Sequence, residues 1–411
     1  MLEIYPVIST TLAVLAGTLI LKSGFLALPD VGSRYSSLDG LRGFLALAVF
    51  FHHYLITYYW KQTDTWTNPP NELFENFGRV GVALFFMITG FLFVGKLLDD
   101  DRPNWFLIFK SRLFRILPLY LVALVIISIV VFTSQHTANT QFSSELPNDY
   151  LRWLLFIGGP INDFPDTSKV IAGVHWTLKY EWLFYILLPI IFMVLKSGIP
   201  MVVGLGVLTI FLNIYPVDIL GLINTVHFVF FLCGGLVAKS VRTQQTWNEI
   251  ASSTASSLIA MALLLLALLH ATPLSISHVL ILCLFFAIIA HGNTVFGLLT
   301  LPSVRAIGEI SYSIYLLHGV ILYLAFTNIF PDFAKDGSLP TYMVAMPICT
   351  LAVVIFSVFS FKWIEEPMIK IGKHKPRQIK LASPPGRDQV ARFESRFQEN
   401  QAAQSAKPKE T

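Results

Sequence analysis

The chain has 411 residues, of which 55% are hydrophobic and only 13% charged, and 29 Lys and Arg against 25 Asp and Glu leave a formal charge of +4. That composition excludes a water-soluble domain, which would alternate polar and apolar residues at a helical or strand period, and no nucleic-acid partner is expected. Most runs are instead apolar on every face and approach the ~20 residues that a ~30 Å hydrocarbon core requires, so the expected fold is an all-α polytopic transmembrane bundle.

Eleven runs qualify as spans, at 5–26, 41–60, 79–98, 114–132, 176–195, 199–215, 219–239, 255–271, 277–291, 310–330 and 342–362. The first has Lys22 near its end and no convincing small-residue cleavage site after it, so it reads as a membrane helix rather than a signal peptide. Basic residues gather in the connections after every second span: Arg34, then Lys96, Arg102, Lys110 and Arg112, then Lys196, Lys239 and Arg242, Arg305, and Lys362 onward. Positive charge marks the cytoplasmic side, which places the N-terminus and the long 133–174 connection outside and the C-terminus inside a cell's inner membrane. Residues 1–33 form an extra N-terminal helix and its connection, 34–370 the core of ten helices, and 371–411 a polar, basic stretch expected to be a disordered cytoplasmic tail that leans on anionic membrane lipid. Cys233, Cys283 and Cys349 all sit in apolar runs, with neither a disulfide framework nor a metal-ligand spacing.

An ionisable group at mid-bilayer costs at least a few kcal/mol, so each one needs a partner or a task. In "LDGLRGFLALAVFFHHYLITYYW" (38–60), Asp39 and Arg42 stand at the mouth of a span and His52 and His53 lie inside it. Arg42 and His53 are eleven residues apart, which at ~100° per residue returns them to within ~20° of one helix face; His52 points away from it. His53 is either a general base for a hydroxyl or a hydrogen-bonded core histidine. Glu181, in the antiparallel span "HWTLKYEWLFYILLP", comes level with His53 by rise per residue and is a candidate to orient its ring. The alternative for Glu181 is a lysine pair or a helix cap.

Farther along, Arg112 and Arg115 lie one turn apart in "FKSRLFRILPLY", with guanidinium geometry suited to phosphates, although basic residues at an inner helix end also satisfy topology alone. In "IGEISYSIYLLHGVILYLAF", Ser311, Tyr312, Tyr315 and His318 either line a cavity or serve as interfacial aromatics and interhelical donors. His227, His270 and His291 lack comparable company and are read as structural.

Taken in order, these stretches resemble the membrane-bound acyltransferase-3 family, best known as O-acetyltransferases of bacterial surface polysaccharides. The elements are "LDGLRG" with the Arg42 to His53 spacing, "GVALFFMITGFL" at 81–92, the Arg112 and Arg115 pair, the run from Trp176 to Tyr185, "SYSIYLLH" at 311–318, and Glu366-Pro367, and they cover about 34–370. The resemblance implies transfer of an acyl group, usually acetyl from acetyl-CoA as co-substrate, to a hydroxyl of an extracytoplasmic or lipid-linked glycan, with no permanently bound cofactor and no metal. By the same resemblance His53 is catalytic, Arg42 supports the site and Arg112 and Arg115 lie near the donor's entry as its binding residues. Glu181 joins His53 as a catalytic candidate on the depth argument above, and Asp39, Trp176, Tyr185, Tyr312 and His318 are read as further support for the site. Thr177, where serine is common, the "KYEW" neighbourhood and the additional first helix depart from the pattern and leave the acceptor open. Some members add an esterase-like domain, for which the polar stretch here is too short. A thioester is already activated, so a base, oxyanion donors and positioning suffice. The competing class is a proton-coupled transporter or flippase with His53, Glu181 and His318 as a relay and the arginines as a gate.

Overall fold

The computed structural model of the chain describes residues 2–28, 35–136, 142–197, 218–219, 223–244 and 246–373. Among these, eight helices are long and apolar enough to cross a membrane, and Thr254–Leu268 and Ile276–Ala290 are apolar but shorter. The expected spans fall on these helices except for 199–215, which lies outside the described residues, as do Arg34 and the stretch 374–411.

The helices that matter below are α1 (Ile4–Lys22), α2 (Ser36–Thr63), α3 (Glu72–Asp99), α4 (Trp105–His136), α5 (Leu146–Leu154), α6 (His175–Lys196), α7 (Phe228–Thr243), α8 (Thr254–Leu268), α9 (Ile276–Ala290), α10 (Pro302–Glu309), α11 (Ser311–Tyr323) and α12 (Met346–Ser360). Their starts follow local chemistry. Asn71 caps α3 by accepting from the Phe74 N–H at 3.1 Å, with Glu72 and Glu75 in the first turn to complement the helix N-terminus. Ser253 and Ser275 cap α8 and α9 in the same way. The expected span at 219–239 becomes helical only at Phe228, because a two-residue strand pair (Asp218–Ile219 with Ile223–Asn224) and a 3₁₀ turn precede it, the Asn224 side chain accepting from the Val226 N–H.

Burial separates centre from periphery. In the apolar windows of α2 and α3, 78% and 72% of residues are buried, against 22% in α1 and 28% in α6, so α2 and α3 form the middle of the bundle. α1 rests on α10 and α12 and belongs to the same compact unit as the rest of the helices. Its outer face shows Ile4, Val7, Leu15 and Leu19. Apolar surface on that scale, repeated on α4, α6, α8 and α9, is unfavourable in water and neutral in hydrocarbon. The chain is therefore a multi-pass helical membrane protein.

Aromatic stacking holds the wall around the site. Phe231 of α7 stacks on Phe86 of α3 and on Phe184 of α6, each at 4.5 Å between ring centres, so the three helices share one apolar joint.

Candidate active site

Arg42 and His53 lie on one face of α2, three turns or ~16 Å apart along its axis, and each opens into a different cavity. The cavity at His53 encloses about 480 Å³ and is walled by rings: His52, His53, Trp66, Trp176 and His227, with Asn68 and Arg79 as polar edges. Arg79 is held by Glu75 at 2.5 Å, one turn back on α3.

The hydrogen bonds of His53 decide its tautomer. His318 Nδ1 lies 3.0 Å from the Ile314 carbonyl, one turn back on α11, and a carbonyl only accepts, so this nitrogen carries a proton. In the neutral ring Nε2 of His318 is then an acceptor. It faces Nδ1 of His53 at 3.0 Å, and that same Nδ1 lies 3.0 Å from the Val49 carbonyl. Both neighbours accept, so His53 holds its proton on Nδ1 and its Nε2 is a bare lone pair left for the cavity. Gly319 makes this approach possible: a Cβ there would sit 2.3 Å from the Ile171 carbonyl carbon and 2.4 Å from the Ala172 nitrogen, so only glycine lets α11 seat against the 167–171 turn with His318 directed inward. His52 is occupied differently. Its Nδ1 meets the Phe74 carbonyl at 2.9 Å and its ring presses on Gly78, where a Cβ would stand 2.5 Å from Cδ2.

The second cavity encloses about 230 Å³ and is walled by Arg42, Arg112, Arg115, Glu181, Tyr185 and Tyr312, among others. Glu181 is its only carboxylate among the described residues, and Arg112, Arg42 and Arg115 all act on it electrostatically. Tyr185 donates to Glu181 Oε2 at 3.2 Å and Thr89 to Oε1 at 3.4 Å. Arg112 also lies 5.1 Å over the Phe93 ring, and Tyr312 donates to the Ile116 carbonyl at 2.8 Å. Three guanidiniums against one carboxylate leave this cavity cationic.

The structure brings most of the expected residues together, but in two groups. Glu181 was expected beside His53; it sits in the arginine cavity, and His318 takes the place at the histidine. The expected level rested on assumed span ends; α6 enters at the histidine cavity with Val174 and Trp176, and by Glu181 it has advanced to the arginine cavity, where the carboxylate meets Thr89 of α3. Trp176 lines the histidine cavity; Tyr185 and Tyr312 line the arginine cavity. Asp39 lines neither, lying in the fields of Arg42, Arg305 and Arg115. Glu366 is at the surface between Lys362 and Lys370, at 2.9 and 2.7 Å. Its neighbour Glu365 is the buried carboxylate, 1% exposed and bonded to Ser313 of α11. His227, read as structural, reaches the histidine cavity with Trp176 at 5.1 Å, and Trp66 stacks near His53 at 6.5 Å.

Residues 35–362 match a family described as an acyltransferase domain, the acyltransferase-3 family. The chain belongs to this family. Proteins of Staphylococcus aureus strains COL and MSSA476, both provisionally named O-acetyltransferases, are each 24% identical over 368 residues, covering 82% of this chain and 57% of theirs. Acyltransferase MdmB of Streptomyces mycarofaciens is 26% identical over 163 residues, or 38% of this chain and 39% of that one. The chain thus spans little more than half the length of the staphylococcal relatives. No solved structure matches.

Proposed function

We propose that this acyltransferase-3 family protein is an O-acyltransferase that moves an acetyl group from acetyl-CoA to a hydroxyl of an extracytoplasmic or lipid-linked glycan. The observation that carries the reading is His53 in the wall of a ring-lined cavity with its Nδ1 between the Val49 carbonyl and His318 Nε2, contacts that assign its proton to Nδ1 and make Nε2 the acceptor. Such a nitrogen takes the acceptor hydroxyl's proton as the hydroxyl oxygen bonds to the thioester carbonyl carbon. The C–S bond then breaks, the proton passes to the departing thiolate, and ester and free CoA are the products. His318 holds the ring of His53 and accepts from Nδ1–H while His53 is the imidazolium, the part an aspartate plays in hydrolase triads.

The arginine cavity suits the donor. Arg42, Arg112 and Arg115 offer planar, charge-assisted donors to phosphates, and Glu181 with Tyr185 keeps the guanidiniums in place. At about 230 Å³ it falls below the ~300–1,000 Å³ of a drug-sized site, so it takes one part of CoA rather than the whole. On the charge distribution of the connections, this end faces the cytoplasm of a bacterial inner membrane and the histidine cavity faces outward. Trp66 and Trp176 offer flat faces for a pyranose ring.

The test is release of free CoA and gain of an acetyl mass on a glycan acceptor, using purified protein in vesicles with acetyl-CoA supplied to one side. Transfer, or slow thioester hydrolysis without acceptor, is expected. A proton-coupled flux of solute with no acyl chemistry would instead select the transporter class.

A further inference from the structure

The two cavities are stacked along α2 and share two wall residues, Val82 of α3 and Tyr315 of α11. Tyr315 is 8% exposed, so its ring fills the boundary rather than hanging free in either space. Its hydroxyl is 2.7 Å from Thr177 Oγ1, on the first turn of α6, and 3.4 Å from the Val174 carbonyl; Thr177 itself donates to Val174 at 3.0 Å. The ring packs edge-to-face with Phe85 and with His318, at 6.0 and 6.2 Å between ring centres. Thr177 belongs to the arginine cavity, and Val174 and Trp176 to the histidine cavity, so the same helical turn also straddles the boundary.

We propose that Tyr315, held by Thr177 and facing Val82, is the aperture between the two cavities and sets the size of the acyl group transferred. The inference rests on the reading of the arginine cavity as the donor's and of His53 as the base. On that reading the thioester carbonyl has to reach Nε2 of His53 from the arginine side, and the acyl chain comes to rest against the Tyr315 ring. A two-carbon acyl group is accommodated beside a closed ring. Each added methylene has to displace the ring from Phe85 and break its hydrogen bond to Thr177, a combination that a close-packed wall resists. A single methylene is worth roughly 10- to 200-fold in discrimination at an apolar wall.

The experiment compares kcat/KM for acetyl-, butyryl- and hexanoyl-CoA, read as CoA release by protein in vesicles, for wild type, Tyr315→Ala, Tyr315→Phe and Val82→Ala. Wild type is expected to favour acetyl over hexanoyl by at least tenfold. Tyr315→Ala should shrink that ratio at least tenfold, and Val82→Ala, which opens the facing wall and leaves the tyrosine in place, should shrink it severalfold. Tyr315→Phe keeps the ring but not its hydrogen bond to Thr177 and should keep most of the preference for acetyl, with a smaller loss than Tyr315→Ala, so the two ratios separate aperture size from the hydroxyl's hold. If Tyr315→Ala does not fold, Val82→Ala decides. Acyl preference unchanged in the opened variants overturns the aperture while leaving the acyltransferase reading intact. Wild type that turns over none of the three thioesters overturns the reading, and the aperture with it.

Discussion

The two cavities solve opposite problems on one helix face. The histidine cavity is made of rings and backbone carbonyls, and the Nε2 lone pair of His53 is produced without any ion: two carbonyls and a second imidazole fix its proton on Nδ1. The arginine cavity is made of charges that restrain one another, three guanidiniums around Glu181 with Tyr185 and Thr89 as neutral spacers. A base must be neutral before it acts, so burial among apolar rings suits it; a phosphate site must stay charged, so it keeps an internal counter-ion until the ligand arrives. The contrast predicts that variants in the first cavity change kcat and variants in the second change KM.

The largest effect is expected at the base itself. His53→Ala should lower acyl transfer by about 10²–10⁴-fold at unchanged protein level, with donor KM hardly altered. A loss expressed in KM alone would move His53 to the donor side of the comparison. Next comes His318. Its removal leaves Nδ1–H of His53 bonded only to Val49, so the ring and its tautomer lose one of two restraints. His318→Ala should reduce kcat by roughly 10- to 100-fold, and His318→Gln, whose amide oxygen can accept from the same N–H, should recover part of it. A His318→Gln variant no better than alanine would argue that His318 fills space rather than holding a tautomer.

Arg112→Ala and Arg115→Ala test the other half. A hydrogen bond to a charged group contributes about 1.5–3 kcal/mol, so each should raise the KM for acetyl-CoA by roughly 10- to 100-fold and leave kcat within a few-fold. Lysine at either position keeps the charge but not the fork, and should fall between alanine and wild type. Equal losses in kcat would indicate that the arginines act at the transition state rather than in donor binding.

How much of this was readable beforehand follows from what a helix repeats and what it does not. The spans, and the shared face of Arg42 and His53, follow from apolar run length and a 100° step, both local properties. The histidine pair joins residues 265 positions apart, and its geometry depends on Gly319 admitting α11 against the 167–171 turn; no periodicity in either segment encodes that. Glu181 shows the same limit from the other side: counting rise per residue from assumed span ends put it level with His53, whereas the start of α6 reaches the histidine cavity and Glu181 lies beyond it, in the arginine cavity. Trp66 lies in the connection between α2 and α3, where turn residues such as "TNPPN" mark a loop without saying which way it folds. Glu365 and Glu366 are adjacent, and only the packing of α12's π-helical continuation on α11 separates the buried carboxylate from the solvated one.

The smallest effect on activity is expected at His52, and it sharpens the distinction between adjacent histidines. His52 shares the cavity wall, yet its Nδ1 is committed to the Phe74 carbonyl and its ring lies on Gly78. His52→Ala should therefore keep transfer within about tenfold of wild type while costing roughly 0.5–1.5 kcal/mol of stability for the lost hydrogen bond, since the Phe74 carbonyl keeps its bond within α3. Gly78→Ala attacks the same contact from α3: its methyl carbon would fall 2.5 Å from His52 Cδ2 and 2.6 Å from Cγ, a distance no packed ring tolerates, so α3 or the ring has to move. Because the His52 and His53 rings lie 4.9 Å apart, that movement reaches the base, and Gly78→Ala should be the more damaging single change. In the double variant the ring is gone and the new methyl enters the space it vacated. Activity of His52→Ala with Gly78→Ala should exceed that of Gly78→Ala alone, a positive coupling that separately placed residues would not show. Additive losses in that cycle would mean that Gly78 serves the approach of α2 and α3 rather than the seating of His52.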